Sequence, residues 1–215
     1  MDWRNIRKLL EELGDPFVMM PISSAAASLN QSLLECNESF QEHMGPYGVA
    51  RKFWSVPCEL IYEEIGFVIG NAFVLAQVAV SQAVSICIKL KECCVDLERL
   101  PKSKLGFLKS QTGFIGDTDI SKIEAINAIA NYFKHYHEWP EGWIEQQAKK
   151  TQKNTILTVK KLGFSEGELT DNMVRSLSLL GIYGTDLGKL CHIVSDWRES
   201  LPRLFETDSN FSRFL

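Results

Sequence analysis

The longest apolar stretch of the chain, residues 65–88, reads IGFVIGNAFVLAQVAVSQAVSICI. It contains no charged residue, and as a helix it would be long enough to cross a bilayer. Polar residues nevertheless recur inside it, and charges stand close on both sides, Glu63 and Glu64 before it and Lys89 and Lys91 after it. We therefore predict a central helix buried in a helical bundle, with a membrane span as the alternative.

The composition is that of an ordinary globular protein. The chain has 215 residues, of which 45% are hydrophobic and 23% are charged, and this suits one domain with a sizeable core. A net charge of −4 excludes a globally basic field for nucleic acid, although a local basic patch remains compatible with it. The charged N-terminal residues 1–5 lack an apolar signal segment, so we expect a cytoplasmic protein with six reduced cysteines.

Helical spacing of apolar residues recurs along most of the chain. With Gly and Pro as end signals, it predicts helices over 2–14, 29–43, 56–100, 121–138, 142–162, 170–180 and 185–200. Between them, residues 15–28 are predicted as a connector, 45–48 as a turn and 101–118 as a loop. The segment 155–159 is the one place where a strand is an alternative.

These elements predict an all-α fold, a helical bundle with a long central helix and additional C-terminal helices. We expect one helical domain over 1–215, with the bundle core at about 29–162 and a helical extension at about 165–206. Gly66 and Gly70 stand four residues apart in the central helix. They either allow another helix to approach closely or mark a kink.

A row of polar residues follows the predicted helix 121–138. Ser121 and Glu124 have the spacing of a capping box, which predicts the start of the helix. Glu124, Asn127, Asn131, His135 and Glu138 recur every three or four residues, so they share one helix face beside an apolar stripe. Such a row is typical either of a solvated helix edge or of the wall of a polar site.

The central helix carries a few polar residues that are candidate partners for this row, namely Glu64, Asn71 and Gln77. Since buried polar groups require hydrogen-bond partners, we predict that Asn71 faces Asn131 or His135. The alternative is a buried hydrogen-bond network that fixes the register of the helices. We assign Glu64, Asn71, Asn127 and Glu138 to the wall of the site.

The segment Ala130-Asn131-Tyr132-Phe133-Lys134-His135 resembles the Arg-Asn-x-x-x-His motif of HEPN domains. These are α-helical bundles, many of them ribonucleases or partners of nucleotidyltransferases, and the resemblance covers roughly residues 55–140. It implies a homodimer that binds or cleaves RNA, in a toxin–antitoxin or phage-defence setting. Ala130 stands where the motif has its arginine, so a member that only binds is a second expectation.

The resemblance also implies roles for individual residues. His135 would transfer a proton, Asn131 would orient it or the RNA 2′-hydroxyl, and Lys134 would supply positive charge to a phosphate. We expect no cofactor, because nucleotide-binding glycine motifs are absent from the sequence, and no metal, because His135 and His137 would point to different sides of a helix.

Two lysine-rich stretches are candidate RNA-contacting edges or ordinary solvated surfaces. The first holds Lys102, Lys104 and Lys109, and the second holds Lys149, Lys150, Lys153, Lys160 and Lys161. Two other functions remain open. One is a non-enzymatic bundle that works by dimerisation or by capturing a protein partner. The other is a small-molecule-binding protein, which predicts an enclosed pocket near Asn131.

Overall fold

The uncharged run forms the middle of a single 36-residue helix, α3 (Val56–Lys91), in the computed structural model of this protein. The structure describes residues 3–45, 48, 50–94 and 98–206. Helices α1, α2, α4, α5, α7 and α8 all pack against α3, and α6 packs against α5. A central helix in an all-α bundle is therefore confirmed.

The remaining helices follow the chain around α3. They are α1 (Trp3–Gly14), α2 (Met20–Met44), α4 (Lys104–Lys109), α5 (Lys122–His135), α6 (Lys150–Lys161), α7 (Leu169–Leu179) and α8 (Gly188–Ser200). Short 3-10 turns occupy Pro16–Met19, Arg51–Phe53, Tyr136–Glu138, Glu141–Trp143 and Leu201–Leu204. The described residues contain no strand, and a lone bridge between Phe114 and Ser121 is their only β-type pairing.

The two glycines of α3 are points of close helix contact. A Cβ atom at Gly66 would lie 2.4 Å from Oγ1 of Thr170 in α7, and one at Gly70 would lie 2.2 Å from the ring of Phe133 in α5. Neither distance leaves room for a side chain. Because α3 runs without interruption from Val56 to Lys91, the close-contact interpretation holds and the kink does not.

Two segments predicted as irregular are helical. The connector predicted at 15–28 is wrong, because α2 begins at Met20 with Pro21 in its first turn, where proline costs no hydrogen bond. The loop predicted at 101–118 contains α4, whose N-cap Ser103 accepts a hydrogen bond from the amide of Gly106. A helix of six residues is too short to show a periodic apolar pattern.

Three other predictions need adjustment at their ends. The helix predicted to reach residue 100 ends at Lys91 and continues into a turn, with residues 95–97 outside the described part. The helix predicted over 142–162 begins only at Lys150, and 155–159 lies inside it, so the strand alternative is wrong. Residues 46 and 47 of the predicted turn also lie outside the described part.

Within the described residues, α3 is the one helix whose length and composition would allow it to cross a membrane. Other parts of the protein bury 56% of its most apolar window. Core helices of bundles pass the same test of length and hydropathy, so the test alone does not separate the two environments.

Candidate functional site

The start of α5 is held firmly in place. The Ser121 hydroxyl accepts a hydrogen bond from the amide of Glu124 at 3.0 Å and donates one to the carbonyl of Leu108 at 2.6 Å. The first bond confirms the predicted N-cap, and the second ties it to the end of α4. The helix is therefore anchored at the end from which its polar row begins.

Helix α5 ends at His135, so Glu138, predicted to lie on the same helix, stands in the 3-10 turn that follows. The polar row lies along a groove between α5 and α6, which we name the α5–α6 groove. Its N-terminal cavity, about 490 Å³, is lined by Glu124, Asn127 and Asn131, and its C-terminal cavity, about 300 Å³, is lined by Asn131, His135 and Glu138. Asn131 lines both cavities, as do Thr151 and Thr155 from the opposite helix. Neither cavity is fully enclosed, unlike the pocket that a small-molecule site predicts.

The polar partner that α3 contributes to the groove is Gln77. Its Nε2 atom donates to the Oδ1 atom of Asn131 at 2.9 Å, to the carbonyl of Asn127 at 3.0 Å and to Oδ1 of Asn127 at 3.2 Å. Its Oε1 atom accepts a hydrogen bond from Nζ of Lys134 at 2.6 Å. The two asparagines are therefore oriented from behind by a buried amide, and Lys134 is joined to them through it.

The prediction that Asn71 faces Asn131 or His135 is wrong. Asn71 is exposed and donates to the carbonyl of Phe67 in its own helix at 2.9 Å. Glu64 is also exposed and lies beside Cys36 of α2, so it forms no part of the groove wall. Both residues lie on sides of α3 that do not face α5. Gln77 lies on the side that does.

His135 and Glu138 form a hydrogen-bonded pair at the C-terminal end of the groove. Nδ1 of His135 lies 3.0 Å from Oε1 of Glu138. This hydrogen bond, together with nearby positive charge that includes Lys149, lowers the pKa of Glu138. An imidazole beside an ionised carboxylate is a pair suited to proton transfer, and Lys149 lines the same cavity.

The two lysine-rich stretches meet at the α5–α6 groove although they are distant in sequence. Lys104 and Lys109 reach it from α4, and Lys149 and Lys161 reach it from the two ends of α6. The other lysines of the second stretch, Lys150, Lys153 and Lys160, line neither cavity. Only some of the lysines in the two stretches therefore lie at the groove, and the sequence alone does not show which ones.

Some of these lysines have acidic partners and others do not. Asp119 bonds Lys161 at 2.9 Å and lies 3.7 Å from Lys109, and this contact with Lys161 lowers the pKa of Asp119. Lys104 and Lys134 form no ion pair with any residue that the structure describes. The pKa of Lys134 is lowered, first by burial and then by the charge of Lys104. Neither lysine has a carboxylate partner in the described part of the chain, and the Lys134 ammonium is bonded instead to Gln77.

The residues of the HEPN-like motif are divided by the structure. Asn131 and His135 line the groove, whereas Lys134 lines neither cavity and is joined to Asn131 only through Gln77. Ala130, at the position of the motif arginine, is fully buried in the core. Position 130 therefore presents no surface to the groove.

Residues that the sequence did not single out complete the groove. Thr151, Asn154, Thr155 and Thr158 form its polar wall on α6. Their spacing of three and four residues was a usable signal, but the uncertain assignment of 155–159 obscured it. Gln77, by contrast, was among the three candidate partners named from the sequence, and it is the one of the three that meets the row.

A second polar cluster lies between α3 and α7 and includes Arg51, from the turn that precedes α3. Arg51 bonds Asp171 at 2.7 Å and Glu168 at 3.2 Å, and the Tyr62 hydroxyl donates to the other oxygen of Asp171. The Arg51 guanidinium also lies 5.3 Å from the centre of the Tyr62 ring. Arg51 is thus the counter-ion of both carboxylates, and the cluster ties the turn before α3 to the start of α7.

No group of three or more His, Cys, Asp or Glu residues in the described part of the chain is placed to hold a metal ion. None of the six cysteines, all of which lie in the described part of the chain, forms a disulfide, and four of them are buried. No known protein family, curated protein or solved structure matches this chain. The groove itself is therefore the basis for a functional interpretation.

Proposed function

We propose that this protein binds RNA in the α5–α6 groove. The observation that carries the proposal is that Lys104 and Lys149, which form no ion pair with any residue that the structure describes, line the two cavities of a groove rich in amides and hydroxyls. The HEPN resemblance on Asn131 and His135 supports the same ligand. A toxin–antitoxin or phage-defence setting, which the resemblance implies, belongs to the proposal, and so does a cytoplasmic location.

A phosphate at Lys104 would meet a cation that no described carboxylate neutralises, beside the wall formed by Asn127 and Asn131. Asn127 and Asn131, held by Gln77, then present amide groups to the bases or the 2′-hydroxyls of the chain. A groove open at both cavities suits an extended strand better than a compact metabolite. Single-stranded RNA is therefore the form that we expect to bind.

The test is fluorescence anisotropy with labelled single-stranded RNAs of mixed sequence, measured over a range of salt concentrations. We expect wild type to bind, and Lys104→Ala to weaken binding and reduce the slope of log affinity against log salt by about 0.7, the value for one lost phosphate contact. The control is Lys153→Ala, which removes the same charge from an exposed site outside the groove. Equal losses in both variants, or no binding by wild type, would contradict the proposal.

A second candidate is a metal-independent ribonuclease, which the His135–Glu138 pair beside Lys149 favours. In this version His135 moves the proton of the 2′-hydroxyl, Glu138 orients the imidazole, and Lys149 takes the phosphate role first assigned to Lys134. The buried Ala130 favours the binding-only version, since the motif arginine has no counterpart in the groove.

Incubation of the same RNAs with purified protein distinguishes the two versions. A ribonuclease of this kind would cleave in the presence of EDTA, lose cleavage in His135→Ala and keep it in His137→Ala, whose exposed ring lines neither cavity. Binding without cleavage by wild type would leave the binding-only version. Cleavage that persists in His135→Ala would come from elsewhere and exclude His135 as the catalytic residue.

A further inference from the structure

The outer face of α3 carries a row of side chains that the other elements leave largely uncovered, with the Phe67 ring in edge contact with Phe133 of α5. From Phe67 onward its members alternate at intervals of four and three residues, and we name this row the outer stripe: Phe67, Asn71, Val74, Val78, Ser81, Ser85 and Ile88. Phe67 is 50% exposed and Val78 is 56% exposed, and Leu60 continues the row at 61%. From Leu60 to Ile88 the row extends about 42 Å at the rise of an α-helix.

This row does not have the character of a solvated helix face. No residue of α3 between Glu64 and Lys89 is charged, although the outer stripe is open to solvent. Single exposed apolar residues are common on protein surfaces, but an aligned row of them marks a contact surface. A repeat of 3.5 residues is also the pattern by which one helix packs along another.

We infer that the outer stripe binds the outer stripe of a second copy of this chain. The two α3 helices run antiparallel, and the midpoint of the contact lies at the level of position 76 along each helix. Residues at equal distances on either side of position 76 then face each other. Phe67 meets Ser85, Asn71 meets Ser81, and Val74 meets Val78 of the second copy. The Phe67 ring is set against a small side chain and the Asn71 amide against a hydroxyl, so the stripe from Phe67 to Ser85 is complementary to itself in this orientation. Ile88 lies opposite Glu64 at its edge.

The charges at the ends of α3 select the antiparallel orientation. Its N-terminal part carries Glu59, Glu63 and Glu64, and its C-terminal part carries Lys89 and Lys91. An antiparallel pair places Glu63 of one copy opposite Lys89 of the other, at both ends of the contact. A parallel pair would place glutamates against glutamates and lysines against lysines.

A cavity at the C-terminal end of the stripe provides a place for Leu60 of the second copy. It measures about 440 Å³ and is lined by Ile88, Glu92, Pro101 and Phe107, among others. In the antiparallel arrangement Leu60 lies opposite Glu92, at the mouth of this cavity. The most exposed leucine of α3 is thereby buried against an apolar wall that is open in the single chain.

Sedimentation velocity over a range of protein concentrations tests the dimer. We expect wild type to be dimeric and Val78→Glu to be monomeric, because two carboxylates would enter the centre of the contact. The control is Val174→Glu, the same exchange at an exposed position of α7, which should remain dimeric. Both valines are exposed, so both variants should keep the wild-type circular dichroism.

Charge exchange tests the orientation. Glu63→Lys or Lys89→Glu alone should weaken the dimer by roughly tenfold, since each creates two like-charged pairs. The double variant Glu63→Lys/Lys89→Glu should recover the wild-type dimer only if the helices are antiparallel. Failure of the double variant to recover would overturn the arrangement.

Two further results would overturn the proposal itself. One is a wild-type protein that stays monomeric at every concentration, and the other is a Val78→Glu variant that dimerises as well as wild type. A monomer that floats with phosphatidylcholine vesicles would assign the stripe to membrane contact instead. The dimer contact and the RNA groove share one residue, Lys104, which lines both the cavity for Leu60 and the groove, whereas Gln77 is not part of the stripe.

Discussion

The inner and outer faces of α3 have similar compositions and opposite surroundings. On the inner face, Gly70 touches Phe133 so closely that no Cβ atom fits, and Val80 is fully buried. On the outer face, Phe67 and Val78 are at least half exposed. Both faces are uncharged between Glu64 and Lys89. The apolar composition of α3 therefore predicts that both faces are suited to burial. It does not predict which face the rest of the same chain buries.

The largest difference in the free energy of unfolding is expected between substitutions at the neighbouring residues Gly70 and Asn71. Gly70→Ala should lower the free energy of unfolding by about 2 to 3 kcal/mol, because its methyl group meets the Phe133 ring at 2.2 Å and outweighs the gain in helix propensity. Asn71→Ala, on the exposed side, should change it by less than about 0.5 kcal/mol in the single chain. Urea denaturation of both variants measures the difference, and equal losses would mean that α5 does not approach α3 at Gly70.

A matched pair of valines gives the next effect. Val80→Ala should cost about 2 kcal/mol, for the buried methyl groups and the cavity that they leave, whereas Val78→Ala should cost almost nothing in the single chain. Denaturation at several protein concentrations refines the comparison. If a second copy covers Val78, the loss in Val78→Ala will grow with concentration and the loss in Val80→Ala will not. A concentration-independent loss at Val78 would show that this face is already covered within one chain.

The smallest effect concerns the one polar group on the inner face. Gln77→Leu removes hydrogen bonds to Asn127, Asn131 and Lys134, and it should cost about 1 kcal/mol, because those partners are near enough to solvent to be rehydrated. RNA binding should weaken as well, since the asparagines lose their orientation. Gln82→Leu on the same helix is the control in denaturation and anisotropy. Unchanged RNA affinity in Gln77→Leu would separate the network from the binding site.

The fold was readable from the sequence wherever an element is long and carries its own end signals. The capping-box spacing of Ser121 and Glu124 predicted the start of α5, and the uncharged run predicted α3. The start of α2 was missed because Pro21 reads as a break, although proline is favoured in a first helical turn. The six-residue α4 was missed because its start depends on the Ser103 cap and not on periodicity.

The candidate groove was only partly readable. Spacing on one helix correctly places Asn127, Asn131 and His135 on a common face, because that relation is local. Which α3 residue meets them depends on the rotation of one helix against another. Gly70 and Phe133 set that rotation, and it brings Gln77 rather than Asn71 to the groove. The meeting of Lys104 with Lys161 likewise depends on how α4 and α6 pack, which no local pattern encodes.

The aromatic cluster beside the groove provides an intrinsic fluorescence signal for binding. Trp139 lines the C-terminal cavity and packs against Tyr132 and Trp143, with ring centres 5.4 Å away in each case. A molecule that enters beside His135 meets this indole directly, whereas Trp197 is buried elsewhere, with its Nε1 atom bonded to the carbonyl of Ser110. Occupancy of the cavity is therefore expected to alter intrinsic emission, so that filling of the groove can be followed without attaching a dye to either partner.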